Sequence, residues 1–178
     1  MHLLRAVLFS VLAAAANAKP TVYFIRHGEK EPDSNDLSTA GEQRAQCLRD
    51  VFGANSQYNI THIMAQTPKA TITELKDGKR QRPYLTVKPL AADLGLEVDI
   101  SCGRDDEDCV ADVVNNYEGD GNILICWEHN ALKDIAEELG AKHVDDYPSD
   151  NFNLIWTDPY DYTEIASITS ENCPGLDG

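Results

Sequence analysis

Two histidines occur in the same local setting, each close behind a short apolar run. His27 lies in YFIRHGEK and directly follows Arg26, whereas His129 lies in NILICWEHNAL. Each apolar run is typical of a strand that is buried on both faces of a parallel sheet. Because ligands of open α/β sheets bind beyond the carboxyl ends of the strands, we expect both imidazoles and the Arg26 guanidinium to share one site. Gly28 would let the following backbone pass close to whatever this site holds.

Strands and helices alternate along the rest of the chain. This alternation predicts a three-layer α/β/α fold with a mainly parallel central sheet. Thr39 and Glu42 have the spacing of a capping box that would start the first helix, and Gly95 and Gly140 stand where two helices should end. Strands are predicted at 21–26, 60–65, 96–100, 122–127, 152–157 and 163–169, and helices at 40–52, 82–94, 106–117 and 129–139.

The first 18 residues, MHLLRAVLFSVLAAAANA, have the composition of a signal peptide. Arg5 precedes an apolar stretch that is too short to span a bilayer, and Ala-Asn-Ala supplies a small-x-small cleavage pattern. We therefore expect a secreted protein with a signal peptide at 1–18 and a single domain at 19–178. No internal repeat or long linker divides that domain.

The charge of the mature chain limits its partners. The 15 Lys and Arg residues stand against 30 Asp and Glu residues, and removal of Arg5 with the signal peptide takes the formal net charge from −15 to −16. Such a charge argues against general binding to nucleic acid or to an anionic membrane. Any site for a phosphorylated substrate must then be a local positive pocket. The sequence carries no signal for the oligomeric state.

Five cysteines lie in the mature chain, so an odd number remains after pairing. In a secreted protein at least some of them should form disulfides. Cys102 and Cys109 flank an acidic loop and are the best candidate pair. Cys126 lies in an apolar run and is the candidate for a buried free thiol.

Four segments occur in an order that resembles a known family. RHGEK, LSTAGEQRA, RPYLT and EHNAL are similar to the ordered blocks of the histidine phosphatase superfamily, the phosphoglycerate mutase-like proteins. The resemblance covers most of residues 21–140 and is nearest to the compact secreted members found in fungi. It implies a phosphoglycerate mutase-like fold and a phosphatase that acts on small phosphomonoesters without a metal or other cofactor.

The resemblance also implies roles for individual residues. His27 would be the nucleophile that becomes phosphorylated, and Arg26, Arg82 and His129 would complete the phosphate pocket. A neutral imidazole would attack phosphorus while the guanidiniums and the second imidazole stabilise the phosphoryl oxygens. Arg80 is the alternative to Arg82, because the loop before the arginine departs from the usual pattern of the family.

The proton donor is left open among several carboxyl groups. Many relatives carry it on the segment that corresponds to SCGRDDEDCV, where Asp106 and Glu107 lie within the candidate disulfide loop. An alternative is that this loop is only a solvated acidic surface. Glu29 and Glu128 lie beside the two histidines and are rival donors.

Three other functions compete with a phosphatase. The domain could be a phosphomutase, although the chain is short for the loops that retain an intermediate, or a phosphate-binding or interaction module without catalysis. It could also bind zinc, because histidine and carboxylate ligands suit that metal. Against zinc stand the missing third histidine and the adjacent Arg26, which would repel a cation. The residues of that rival site would be His27, Glu29, Glu128 and His129.

Overall fold

The computed structural model describes residues 19–32, 34–69 and 80–177, so the predicted signal peptide at 1–18 lies outside the described residues. Within these ranges the elements follow the predicted order. The strands are β1 (Val22–Arg26), β2 (Ile60–Ala65), β3 (Val98–Asp99), β4 (Asn122–Trp127), β5 (Leu154–Asp158) and β6 (Ser167–Ser170). The helices are α1 (Thr39–Val51), α2 (Arg82–Leu94), α3 (Glu107–Asn115) and α4 (His129–Leu139).

The strands form one sheet in the order β3-β2-β4-β1-β5-β6. The first four strands in this order run parallel, and β5 and β6 are antiparallel to their neighbours. In the register between β1 and β4, Arg26 lies opposite Trp127. The residues that follow these two strands therefore leave the same edge of the sheet side by side.

Alternate residues of the central strands face two separate cores. On one face Phe24 and Ile125 pack with apolar residues of α3 and α4. On the other face Ile25 and Leu124 pack with apolar residues of α1 and α2. A strand that is buried on both faces must be apolar at every position, which explains the continuous apolar runs of the sequence. The predicted three-layer α/β/α fold with a mainly parallel sheet is confirmed.

Helix α1 begins differently from the prediction. The side chain of Ser38, not of Thr39, accepts the capping hydrogen bond, from the N–H of Gly41 at 3.2 Å. Ser38 is held outside the helix because its own N–H donates to the carbonyl of Glu29 at 2.9 Å. The predicted capping box at Thr39 and Glu42 is therefore wrong. The predicted helix ends are confirmed, since Gly95 and Gly140 follow α2 and α4.

Gly28 is required by the packing of α1 rather than by a special backbone conformation. Its φ is not positive. A Cβ at this position would lie 3.0 Å from the backbone of Gly41, and a Cβ on Gly41 would lie 2.3 Å from the carbonyl oxygen of Glu29. Two glycines thus let the start of α1 touch the turn after β1. The sequence predicts a close approach of the Gly28 backbone to a ligand, and the close approach seen among the described residues is to this helix.

Two disulfides join parts of the fold. The predicted bond between Cys102 and Cys109 is confirmed, and a second bond joins Cys47 in α1 to Cys173 near the carboxyl end. Cys126 is the buried free cysteine, as predicted. Among the described helices, none is long and apolar enough to cross a membrane.

Candidate active site

His27 lies one residue beyond β1 and is only 2% exposed. Its backbone N–H donates to the carbonyl of Trp127 at 3.1 Å, which continues the pairing with β4 past the end of the strand. Its Nδ1 lies 2.7 Å from the carbonyl oxygen of Gly28. A carbonyl oxygen can only accept, so Nδ1 carries the hydrogen and Nε2 keeps its lone pair. The ring is therefore arranged to attack through Nε2.

The surroundings keep His27 uncharged. The pKa of His27 is lowered to about 3, chiefly by burial; the charges of Arg82, Arg26 and His129 act in the same direction, and the hydrogen bond to Gly28 opposes them. A neutral imidazole has the lone pair that a nucleophile needs. The three charged groups that lower this pKa are the three predicted pocket residues, Arg26, Arg82 and His129.

Arg26 is fixed by the segment that precedes β5. Its Nη1 donates to the carbonyl oxygens of Ser149 and Asn151, both at 2.8 Å. The ring of Phe152 lies 3.8 Å from the guanidinium carbon, within the range of a cation–π contact. The Nε of Arg26 is buried and has no partner among the described residues. A buried guanidinium with an unused donor beside His27 is suited to hold an anion.

Arg82 begins α2 and is linked to the turn after β1 through Thr86. The Thr86 hydroxyl donates to the carbonyl of Arg82 at 2.8 Å and accepts from the N–H of Gly28 at 2.9 Å. Burial lowers the pKa of Arg82, and the charge of Glu128 raises it. Arg80 instead lies 3.5 Å from Asp105, measured from Nη1 to the carboxylate oxygen. The structure thus brings Arg82, and not Arg80, into electrostatic contact with His27.

His129 starts α4 directly after Glu128. The Nδ1 of His129 lies 2.9 Å from Oε1 of Glu128, although the angle is not that of a hydrogen bond. Burial lowers the pKa of His129, as do the charges of Arg26, Lys30 and Arg104, and Glu128 opposes them. Because positive charge surrounds this ring, Glu128 is the group that partly balances it.

Glu29 is drawn away from the histidines by Arg44, which is 1% exposed. The Nη2 of Arg44 donates to Glu29 Oε1 at 2.7 Å, and its Nε contacts both Glu29 oxygens at 3.1 Å. The same guanidinium also binds Glu171 and Asp177 of the carboxyl-terminal segment. Glu29 therefore belongs to a buried charge cluster that ties this segment to α1, and its oxygens are occupied there.

Asp106 and Glu107 are placed on an acidic surface. Together with Asp134 and Glu137 of α4 they line a surface groove. Among the described residues neither side chain has a hydrogen bond or ion pair with Arg26, His27, Arg82 or His129. The structure brings these last four predicted site residues together and leaves Asp106 and Glu107 apart from them.

The rival zinc site is not assembled in the described part of the chain. Within it, no group of three or more His, Cys, Asp or Glu residues could hold a metal ion. The reason is visible at Glu29, which faces Arg44 instead of His27.

Two groups of residues at the site were not predicted from the sequence. The first is the segment before β5, where strand was predicted from residue 152 and where Phe152 instead stacks on Arg26. The second is Gln66, whose Oε1 accepts from the N–H of Glu128 at 3.2 Å and whose Nε2 donates to the carbonyl of Arg80 at 3.5 Å. Gln66 follows directly on the apolar strand β2, and its place after that strand was the signal that could have identified it.

A solved structure shares this arrangement of strands and helices. A crystal structure from Agrobacterium tumefaciens, assigned as the phosphohistidine phosphatase SixA, matches with a TM-score of 0.52 and 12% identity over 85% of this chain and 97% of that chain. The chain has the fold of that protein. A protein assigned as an alpha-ribazole-5'-P phosphatase from Escherichia coli matches with a TM-score of 0.47 and 15% identity, over 85% of this chain and 95% of its own.

A further structure assigned as SixA, from Nakamurella multipartitia, matches with a TM-score of 0.48 and 12% identity, over 84% of this chain and 95% of its own. No family model matches the sequence, and no curated protein matches it either. At 12% identity the likeness to the Agrobacterium tumefaciens structure shows the fold alone, so the activity must be argued from the side chains of the site.

Proposed function

We propose that this protein is a secreted, metal-independent histidine phosphatase that hydrolyses small phosphomonoesters through a phosphohistidine on His27. The observation that carries the proposal is the state of that ring, which is buried and neutral with Nε2 free and is surrounded by three cationic or cation-forming groups. The fold of a protein assigned as a phosphatase supports it as an analogy.

In the first step Nε2 of His27 attacks phosphorus, and the bond from phosphorus to the ester oxygen breaks. The guanidiniums of Arg26 and Arg82 and the imidazole of His129 hold the three other phosphoryl oxygens while negative charge shifts among them. In the second step water attacks the phosphohistidine, and His27 leaves as the neutral ring. Preorganised donors give this stabilisation without moving during the reaction.

The local cluster of positive groups also explains how a strongly negative chain could bind a negatively charged phosphate. A chain of formal charge −15 repels a phosphorylated substrate at long range. The buried guanidinium of Arg26 and the half-buried one of Arg82 oppose that repulsion at short range, because screening by salt acts less on charges that are partly removed from water. The site therefore selects a compact phosphate group that can enter among Arg26, Arg82 and His129.

The test is rapid quenching of the mature protein, residues 19–178, with a labelled aryl phosphate. Wild-type protein should retain label after an alkaline quench and lose it after an acid quench, as a phosphoramidate does. His27→Ala should retain none and should not turn over, while unfolding at a temperature near that of the wild type. His62→Gln, a change to a half-buried histidine of β2, is the matched control and should label normally.

Undiminished turnover by a folded His27→Ala protein would remove the proposal. A wild-type protein that binds phosphate but never becomes labelled would instead be a binding module. Secretion is tested separately by sequencing the amino terminus of protein recovered from the culture medium, where Lys19 should be the first residue.

A further inference from the structure

We propose that Glu128 is the catalytic acid and base of this site, and that Arg104, carried on the loop closed by Cys102 and Cys109, is its positioning residue. This inference rests on the proposed phosphatase function and names the group that moves the proton. Glu128 is distinct from Asp106 and Glu107, the carboxyl groups that the resemblance to the family favours.

The carboxyl group of Glu128 lies among the phosphate-binding residues. Its Oε1 lies 2.9 Å from Nδ1 of His129, and when Glu128 is ionised its charge also raises the pKa of Arg26 and of Arg82. Its backbone lies at the end of β4, next to the strand that delivers His27. A leaving oxygen on a phosphate held by these groups would therefore be near Glu128.

The two oxygens of this carboxyl group have different surroundings. Arg104 donates to Oε2 through both Nε, at 3.0 Å, and Nη2. Oε1 accepts from the side-chain amide of Asn130 at 3.2 Å and lies 2.9 Å from Nδ1 of His129. Since Arg104 has no acceptor and occupies Oε2, Oε1 is the oxygen that can carry and exchange a proton.

Arg104 is itself held at two points. Its carbonyl accepts from the indole N–H of Trp127 at 2.9 Å, which anchors it to the last residue of β4. The bond between Cys102 and Cys109 closes the short loop on which it lies. The carbonyl of Cys102 accepts from the N–H of Thr67 at 2.8 Å, so the loop is fixed to the end of β2 as well. The loop thus presents a rigid guanidinium to Glu128.

The proton balance of the reaction assigns Glu128 one role in each step. As the bond from His27 Nε2 to phosphorus forms and the ester bond breaks, Oε1–H gives its proton to the leaving oxygen, and an alcohol departs. The carboxylate then takes a proton from the water whose oxygen bonds to phosphorus, while the bond from phosphorus to nitrogen breaks. Phosphate leaves, and both Glu128 and His27 return to their starting states.

The other candidates are engaged elsewhere. Glu29 has both oxygens on Arg44, and Asp106 and Glu107 line the acidic groove beside α4. Among the described residues, Glu128 is the carboxyl group in contact with the second histidine.

The test measures the rate of His27 phosphorylation in single-turnover experiments with two esters. With 4-nitrophenyl phosphate, whose leaving group needs no proton, Glu128→Gln should phosphorylate His27 within a few-fold of the wild-type rate and then retain the label. With an alkyl phosphate the same variant should phosphorylate roughly 10²-fold more slowly or worse, the range in which general acids contribute. Glu137→Gln, an exposed change on α4, should match the wild type with both esters.

Arg104→Ala should show the same selective loss for the alkyl ester in a milder form, and Arg104→Lys should restore part of it. This pair of variants also carries the test if Glu128→Gln fails to fold. Equal losses with both esters, or none, would overturn the role of Glu128, and so would a selective loss in Asp106→Asn or Glu107→Gln. An unlabelled His27 in the wild type would refute the proposed function itself, which is a different outcome.

Discussion

The hydroxyl of Thr86 accepts a hydrogen bond from the backbone N–H of Gly28 at 2.9 Å. This contact joins the turn after β1 to α2, one helical turn after the first residue of that helix. Since the same hydroxyl donates to the carbonyl of Arg82, one fully buried side chain sets the distance between the nucleophilic ring and an arginine of the phosphate pocket. Thr86 is thus a direct link between the turn that carries His27 and the arginine that starts α2.

Thr86→Val should lower both stability and activity. Valine has nearly the same shape but leaves the buried N–H of Gly28 without a partner, which costs about 1–3 kcal/mol. We expect kcat/KM to fall on the order of 10-fold to 10²-fold, since small displacements of reacting groups have effects of that size. Urea unfolding and steady-state kinetics measure the two losses.

Thr86→Ser is the matched control for this prediction, because it keeps the hydroxyl and should keep most of the activity. If Thr86→Val lost stability but no activity, the contact would serve the fold alone.

The sequence predicted the two histidines because the relevant signal is local. An apolar run that ends in a charged or aromatic pair shows where a buried strand stops, and parallel neighbours bring such ends together. In the sheet, Arg26 at the end of β1 lies opposite Trp127 at the end of β4, as this reasoning expects. The same reasoning could not place the proton donor, because a short loop of several acids does not show which side chain turns inward.

Long-range contacts explain the remaining differences. Nothing near Glu29 in the sequence shows that Arg44 would bind it, or that Glu171 would complete the cluster from the far end of the chain. Phe152 has the strand propensity that suggested a strand from residue 152, and its stacking on Arg26 overrides that propensity. Tertiary contacts of this kind leave no periodic pattern in a single sequence.

The two arginines near the start of α2 should differ sharply. Arg82→Ala removes a preorganised donor beside His27 and should lower kcat by roughly 10²–10³. Arg80→Ala removes an ion pair with an exposed aspartate, Asp105, and should change kcat by no more than a few-fold. Steady-state kinetics with an aryl phosphate compare the variants. The opposite order would mean that Arg80, and not Arg82, binds phosphate.

Removal of one disulfide should mainly lower stability, and removal of the other should mainly lower activity. The bond between Cys47 and Cys173 spans a sequence separation of 126 and that between Cys102 and Cys109 a separation of 7. On the chain-entropy estimate, losing the first costs about 5 kcal/mol and losing the second about 2.5 kcal/mol. The double alanine variant of the short loop should nevertheless lose more activity with an alkyl phosphate, because it releases Arg104. Unfolding and single-turnover experiments on the two double alanine variants test this prediction. Loss of the Cys47–Cys173 bond should cost more stability, and loss of the Cys102–Cys109 bond should cost more activity with the alkyl ester.

Two buried groups should give the stability opposite dependences on pH. Burial lowers the pKa of His27 to about 3, so the unfolded chain binds a proton that the folded chain does not, and stability falls as pH drops from about 6.5 toward 3. Burial raises the pKa of Asp158 to about 7, and neither of its oxygens has a partner among the described residues. The folded chain then holds the extra proton, and stability falls as pH rises from about 4 to about 7.

Asp158→Asn should therefore stabilise the protein relative to the wild type increasingly as pH rises from 4.5 to 8. The limit of this gain is about 4 kcal/mol, since each pKa unit corresponds to about 1.4 kcal/mol. The free energy of unfolding in urea, measured for both proteins at several pH values, gives the difference. Glu171, whose pKa burial raises to about 8, acts in the same direction in both proteins and cancels from that difference. A difference that stays constant with pH would show that Asp158 is ionised in the folded protein and would contradict the prediction.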